Sequence, residues 1–335
     1  MRTLTAALSA LLLSVVAAGC GNTQPTATPT SQPSLIQPTI IHPGTHNSGS
    51  NSANDLGEAT SAWLTELATY VAKYPANATE AQRASLTAEQ NAAPFTGLTC
   101  DPENLTNCWV GAETARRTWL VMGDDSVRQW LPAMKAIADK NSGLRIQVFT
   151  SSNCSNSADV AGLPSLGESG TTQQALDACI AQHTAALNYV ATNRVQSALL
   201  IDSSSLIGGT RQQAYGKGLQ TLLMSLKPHT SAIVIGRVPS WNVTPAACFN
   251  KDFSNLRSCY GSALGNAAIA SFLQNAANSA SAGFIDPRRW LCVRNTCPLF
   301  VNDRVVTLDG YRLTMGAASA LAPVLYENVE AQLGR

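Results

Sequence analysis

The chain has little charge, few aromatics and almost no histidine: charged residues make up 13%, aromatics 6%, and four histidines occur in 335 residues. A formal net charge of +1 excludes the basic surface a nucleic acid needs, so no nucleic-acid partner is expected. No apolar run spans a bilayer, because Leu4 to Ala18 falls short of the ~20 residues a membrane helix requires. Cys-x-x-Cys pairs are absent, no Cys/His ligand set is expected, and the carboxylates are scattered, so neither a metal nor another cofactor is expected.

What the N-terminus does have is Arg2, then the short apolar run, then small residues, the layout of an export signal over residues 1–20. Its end, Ala17-Ala18-Gly19-Cys20, is similar to a bacterial lipobox. That resemblance implies a diacylglycerol on Cys20 and a lipid anchor in the bacterial cell membrane; the other reading is plain secretion with Cys20 discarded. Both place the chain outside the cytosol. Residues 21–54 are rich in Thr, Pro, Ser and Asn and read as a flexible tether.

Of nine cysteines, removing Cys20 leaves eight, an even number that in an exported chain reads as a disulfide framework. Sequence does not fix the connectivity. Four short sequential loops are the economical arrangement: Cys100 with Cys108, Cys154 with Cys179, Cys248 with Cys259, and Cys292 with Cys297.

Apolar residues make up 45% of the chain, enough to fill one sizeable core. Residues 55–99 form an accessory helical segment, since Trp63, Leu64, Leu67, Tyr70 and Val71 make a helical stripe over Ala59 to Tyr74. Residues 100–335 then alternate strand and helix. Strands are expected at Thr118 to Met122, Arg145 to Thr150, Ser197 to Ile201, Ala232 to Ile235 and Gly283 to Ile285. Helices are expected at Val127 to Lys140, Thr172 to Thr192, Arg211 to Leu226, Leu256 to Ala280 and Met315 to Leu333. This alternation predicts an α/β fold, a three-layer α/β/α sandwich around a five-stranded parallel sheet of flavodoxin-like type. Ligands of such sheets collect beyond the carboxyl ends of the strands.

The loop after the first of those strands reads Gly123-Asp124-Asp125-Ser126, with Gln129-Trp130 following. It resembles the first block of SGNH hydrolases, most of all the extracytoplasmic SGNH domain fused to membrane O-acyltransferases. There the block is Gly-Asp-Ser-His, two small residues, then Gln-Trp. Other landmarks keep the family's order: Cys100 and Cys108, Thr150-Ser151-Ser152-Asn153-Cys154, Arg237-Val238-Pro239, Cys297-Pro298-Leu299, and Asp309-Gly310-Tyr311-Arg312-Leu313-Thr314 in place of Asp-x-x-His-Leu-Thr. The resemblance implies the SGNH fold and acyl-ester chemistry on an envelope polymer. It also places Asp125 at the nucleophilic serine, Ser126 at the histidine after it, Asp309 at the acid and Arg312 at the general base. Arginine stays protonated and cannot take a hydroxyl's proton, so the catalytic positions read as degenerate.

Three functions fit. In the first, Asp125 and Arg312 pair, joined by Asp309 and Asp202, in a non-catalytic pocket for a polar ligand such as a cell-wall glycan or acylated envelope polymer. Gly123, Asp124, Asn153, Asp202 and Ser203 are then the binding positions. In the second, Ser126 is the nucleophile of an envelope carbohydrate O-acyl esterase or acyltransferase, with Asp309 or Asp202 acting through water. The third is a structural or scaffolding lipoprotein. Expected partners are the membrane, through the lipid anchor, the envelope polymer and a membrane acyltransferase.

Overall fold

The computed structural model describes residues 57–100, 108–151, 154–157, 173–203, 212–241, 244–249, 256 and 259–334. The export signal, Cys20 and the tether lie outside the described residues.

In chain order the elements are α1 (Glu58–Ala72), α2 (Glu80–Gln90), β1 (Thr99–Cys100), β2 (Cys108–Gly111), β3 (Arg117–Gly123), a 3₁₀ turn (Asp125–Trp130), α3 (Leu131–Lys140), β4 (Leu144–Thr150), α4 (Gln173–Thr192) and β5 (Val195–Ile201). They continue with α5 (Gln212–Leu226), β6 (Ser231–Ile235), α6 (Pro245–Phe249), β7 (Tyr260–Ser262), a second 3₁₀ turn (Ala263–Asn266), α7 (Ala267–Ser279) and β8 (Gly283–Ile285). The last are α8 (Arg288–Leu291), β9 (Thr296–Pro298), β10 (Phe300–Val301), β11 (Arg304–Val305), α9 (Met315–Ala320) and α10 (Ala322–Gln332).

The main sheet runs β1-β2-β4-β3-β5-β6-β8. Its five expected strands are all parallel, in the order second, first, third, fourth, fifth. Beyond the expectation, β2 and β1 add an antiparallel edge beside β4. Why the central strands form is visible in β3, whose side chains alternate between two cores. Trp119 and Val121 enter one core, with Met134 of α3 and Val324 of α10. Leu120 and Met122 enter the other, with Leu219 of α5 and Leu273 of α7. A strand covered on both faces needs an unbroken apolar run, which is the signature of a buried parallel sheet.

Three expected helices are corrected. In place of one helix from Leu256 to Ala280, β7 pairs with β9, a 3₁₀ turn follows, and α7 begins only at Ala267. Pairing of Gly261 with Cys297 keeps this stretch extended, and it packs so closely on Trp241 that an added Cβ on Gly261 would stand 2.8 Å from the indole. The helix expected over Met315 to Leu333 breaks at Leu321, because Pro323 in the first turn of α10 has no N–H to continue a helical ladder. The start of the helix expected from Val127 is likewise a 3₁₀ turn that passes into α3 at Leu131.

The N-terminal helices share the main core, to which α1 contributes Trp63 and Leu67. Glu327 of α10 caps the start of α1, accepting from the N–H of Ala59 (2.7 Å) and Thr60 (2.8 Å). A capping box between Thr79 and Gln82 starts α2, and Glu89 near its end accepts from the Gly316 N–H at 2.8 Å. Cys154–Cys179, Cys248–Cys259 and Cys292–Cys297 are bridged as expected. Cys108 is disulfide-bonded too, and its Cα faces that of Cys100 in the β1–β2 register.

Candidate functional site

The carboxyl end of β3 is pressed against that of β5. A Cβ on Gly123 would fall 1.7 Å from the Ile201 carbonyl oxygen, so only glycine lets the chain leave the sheet here. Asp124 follows, buried at 6% exposure, and ties three strand ends together. One carboxylate oxygen accepts from the Ser126 N–H (2.8 Å) and caps the 3₁₀ turn. The other accepts from the Ser203 N–H (3.0 Å) and hydroxyl (3.1 Å) beyond β5, while the Asp124 carbonyl accepts from Thr150 Oγ1 (2.9 Å) at the end of β4. Asp124 is therefore a positioning residue.

The turn that Asp124 caps sends its first two side chains into different cavities. Asp125 lines one of about 480 Å³, with Arg128, Gln129, Asp309 and Arg312 on one wall and Pro94, Phe95 and Leu98 on another. Ser126 lines a second of about 310 Å³, with Asp202, Ser203, Arg237, Ser240, Asn266 and Tyr311. Gln129 borders both, and its Oε1 accepts from the Leu313 N–H at 3.0 Å, joining the first loop to the last.

The expected pairing of Asp125 with Arg312 is not what forms. Arg312 Nε donates to Asp309 Oδ2 at 2.7 Å, and Arg128 Nε donates to Asp125 Oδ1 at 3.2 Å. Each charge takes the partner three residues along its own turn, which costs less chain ordering than reaching across the cavity. Asp309 Oδ1 also accepts from the N–H groups of Tyr311 and Arg312, both at 2.8 Å. Burial acts to raise the Asp309 pKa, but these N–H groups and the guanidinium outweigh it and hold it below the ordinary carboxylate range.

Asp202 does not join that pair either. Its Oδ2 accepts from the Asn156 N–H (2.7 Å) and the Tyr215 hydroxyl (3.0 Å). Burial, with the Asp202 charge beside it, pushes the Tyr215 pKa well up and keeps the phenol protonated. Burial lowers the Arg237 pKa, opposed by Asp202, and Arg237 donates to the Ser203 carbonyl. Ser126 is buried at 3% exposure, and its Oγ has no hydrogen-bond partner. Ser126, one residue past the position aligned with the nucleophilic serine, thus lines the cavity of Asp202 and not that of Asp309.

Asn153 lies outside the described residues. Three positions on, Asn156 is buried and donates from Nδ2 to the Ile201 carbonyl at 3.0 Å. Neither Asn156 nor Tyr215 was expected at the site, and nothing in the pattern of its loop marks Asn156 out from Asn153. Gln129 and Arg237 stood only as family landmarks, although their polar side chains next to strand ends were a readable signal.

No histidine lines either cavity among the described residues. His229 sits two residues before β6, at the amino end of the sheet, and His183 is buried on α4. The expectation that no cysteine and histidine come together is corrected: Cys179 and His183 are one helical turn apart, and with Cys154 they bring three ligand-type atoms within 4.8 Å of one another. None of its members lines either cavity.

The sequence matches the family model described as the SGNH domain fused to AT3 domains, over residues 93–327. Among solved structures, the chain is similar to the periplasmic domain of a lipopolysaccharide acetyltransferase from Salmonella ser. Paratyphi A. Identity is 16% and the TM-score 0.51, over 82% of this chain and 100% of that one. A putative SGNH hydrolase from Slackia heliotrinireducens is 14% identical with a TM-score of 0.38, over 64% of this chain and 100% of that one. Among curated proteins none matches. The family match begins after α2, so Glu89 and Ala92, which line the larger cavity, come from outside it.

Proposed function

This chain belongs to the family of SGNH domains fused to AT3 domains, and from that premise we propose that it is an extracytoplasmic, lipid-anchored member that binds a polar envelope glycan without hydrolysing it. The observation that carries the reading is the ion pair of Arg312 with Asp309 at the base and acid positions. A guanidinium there cannot accept a proton from a hydroxyl, so the chemistry of a serine hydrolase has no base on that side.

The same groups suit recognition. The larger cavity sets the apolar wall of Pro94, Phe95 and Leu98 against Asp125, Arg128, Asp309 and Arg312. A pyranose has one C–H face and a rim of hydroxyls, and such a cleft matches both. Each cation already has a carboxylate beside it, so a neutral sugar fits better than an anionic one. The fold likeness to a periplasmic domain of an acetyltransferase, with membership of the SGNH family fused to AT3 domains, supports the envelope location.

A second reading keeps an ester hydrolase, favoured by one observation: Ser126 Oγ is buried and unpartnered in the cavity that Asp202 also lines. One experiment separates the two. The mature chain is titrated calorimetrically with acetylated and de-acetylated envelope glycan fragments and assayed in parallel with short-chain nitrophenyl esters. Saturable binding weakened at least tenfold by Arg312→Ala, with no turnover, is the expected result. Turnover abolished by Ser126→Ala replaces it with the hydrolase, and the absence of any Arg312-dependent binding leaves the scaffolding role.

A further inference from the structure

The bridge between Cys154 and Cys179, which lines neither cavity, fastens the loop after β4 to α4. Both cysteines are buried, at 0% and 2% exposure, and His183 lies beside them at 6%. His183 Nε2 has no hydrogen-bond partner. A buried imidazole nitrogen without a protein partner, beside two sulfurs, is a donor set of the kind that holds a metal ion.

We propose that the Cys154–Cys179 bridge masks a Cys2His site for Zn²⁺, which opens when a dithiol reduces the bridge. The dithiol attacks one sulfur, gives a mixed disulfide, and leaves as its own cyclic disulfide. Two electrons and two protons pass to Cys154 and Cys179, which become thiols. Zn²⁺ then displaces both thiol protons to solvent and takes Nε2 as its third donor, with water in the fourth place. The three ligand atoms already lie within 4.8 Å of one another. Zinc at about 2.3 Å from sulfur and about 2.0 Å from nitrogen needs donors somewhat under 4 Å apart, so the imidazole has little distance to close while the two sulfurs, once unbonded, part from about 2 Å to that spacing. Cys179 and His183 come from one face of α4, which keeps two of the three donors in fixed relation whatever Cys154 does.

The test uses the full mature chain, reduced anaerobically with a phosphine and exposed to an alkylating reagent with and without Zn²⁺. Each cysteine is followed separately by peptide mass spectrometry. Zinc is expected to slow alkylation of Cys154 and Cys179 at least tenfold while leaving the other cysteines unchanged. Co²⁺ in place of zinc should give a thiolate charge-transfer band, and His183→Gln should remove most of the protection. Equal alkylation with and without zinc, protection spread evenly over all cysteines, or protection unaffected by His183→Gln overturns the proposal. The wild-type comparison reads the site even where the variant folds poorly.

Discussion

Arg312 Nε reaches Asp309 Oδ2 at 2.7 Å, and neither side chain is paired with Asp125, which holds Arg128 at 3.2 Å instead. At the rim of one cavity these four side chains therefore form two independent local ion pairs. Both guanidiniums are exposed, with Arg312 and Arg128 each at 65% of side-chain area. Exposed pairs contribute little to stability, and under the proposed binding role they offer a ligand donors and acceptors.

Arg312→Ala should leave the melting temperature nearly unchanged, within about 1 kcal/mol of the wild type by denaturant titration, while weakening glycan binding at least tenfold. Asp309→Asn should behave differently. Asp309 also accepts two backbone N–H groups, and its folded pKa is depressed below the ordinary carboxylate value. Its contribution is present above that ordinary value and is lost as pH falls through the folded pKa. Comparing acid unfolding of wild type and Asp309→Asn checks this: the wild type should lose more stability toward acid than the variant.

Removing the Asp124 carboxylate should be costly. Asp124→Ala leaves the Ser126 N–H and the Ser203 N–H without their acceptor at a buried loop junction. A loss of about 2 to 3 kcal/mol is expected by urea unfolding, together with loss of ligand binding, because both cavities border the loops that Asp124 joins. A change under about 0.5 kcal/mol would show that Asp124 does not organise the site.

Gly123→Ala tests the closeness of β3 and β5 at the site. With an added Cβ 1.7 Å from the Ile201 oxygen and φ at 150°, the strands must part. The expected cost is about 3 kcal/mol or more, seen as a lowered denaturation midpoint with an unchanged slope.

The central sheet was legible because its strands are covered on both faces. Gly283 to Ile285 is read with its exact bounds, and the other four parallel strands are right within two residues at each end. The edge strands β1 and β2 carry only two and four residues and no long apolar run, so they gave no comparable signal. Helix α2 is mostly polar, and its one mark was the Thr79 and Gln82 capping box. At the site, the landmarks lie on loops that border the two cavities, while the pairing expected between Asp125 and Arg312 does not form. Asp125 and Arg312 were compared as alignment positions, although Arg128 and Asp309, each three residues away, were the nearer partners. Asn156 and Tyr215 could not be read at all, because their role depends on a buried carboxylate that only the fold brings to them.

Ser126→Ala should be nearly neutral for stability, within about 0.5 kcal/mol, or slightly stabilising. The hydroxyl is buried without a partner, so its deletion removes an unsatisfied polar group and no hydrogen bond. Under the binding reading it should also leave affinity within about twofold, since Asp125 and not Ser126 lines the larger cavity. A tenfold loss of affinity would move the ligand into the smaller cavity.

His183 should make the oxidised, metal-free protein sensitive to mild acid. Burial, its chief perturbation, lowers the folded pKa from 6.5 to about 4, against the weaker opposing effect of the Ser155 contact. Between those values the unfolded chain takes up a proton that the folded chain refuses, so folding stability falls as pH drops from about 6.5 toward 4 and this contribution is constant above and below that window. The full loss is on the order of 3 kcal/mol. Urea titrations at pH 7, 5.5 and 4 on wild type and His183→Gln measure it as the difference between the two slopes with pH. His183→Gln should lose less stability than the wild type over that interval. Parallel slopes would mean that His183 is hydrated enough to titrate in the folded protein much as it does in the unfolded chain.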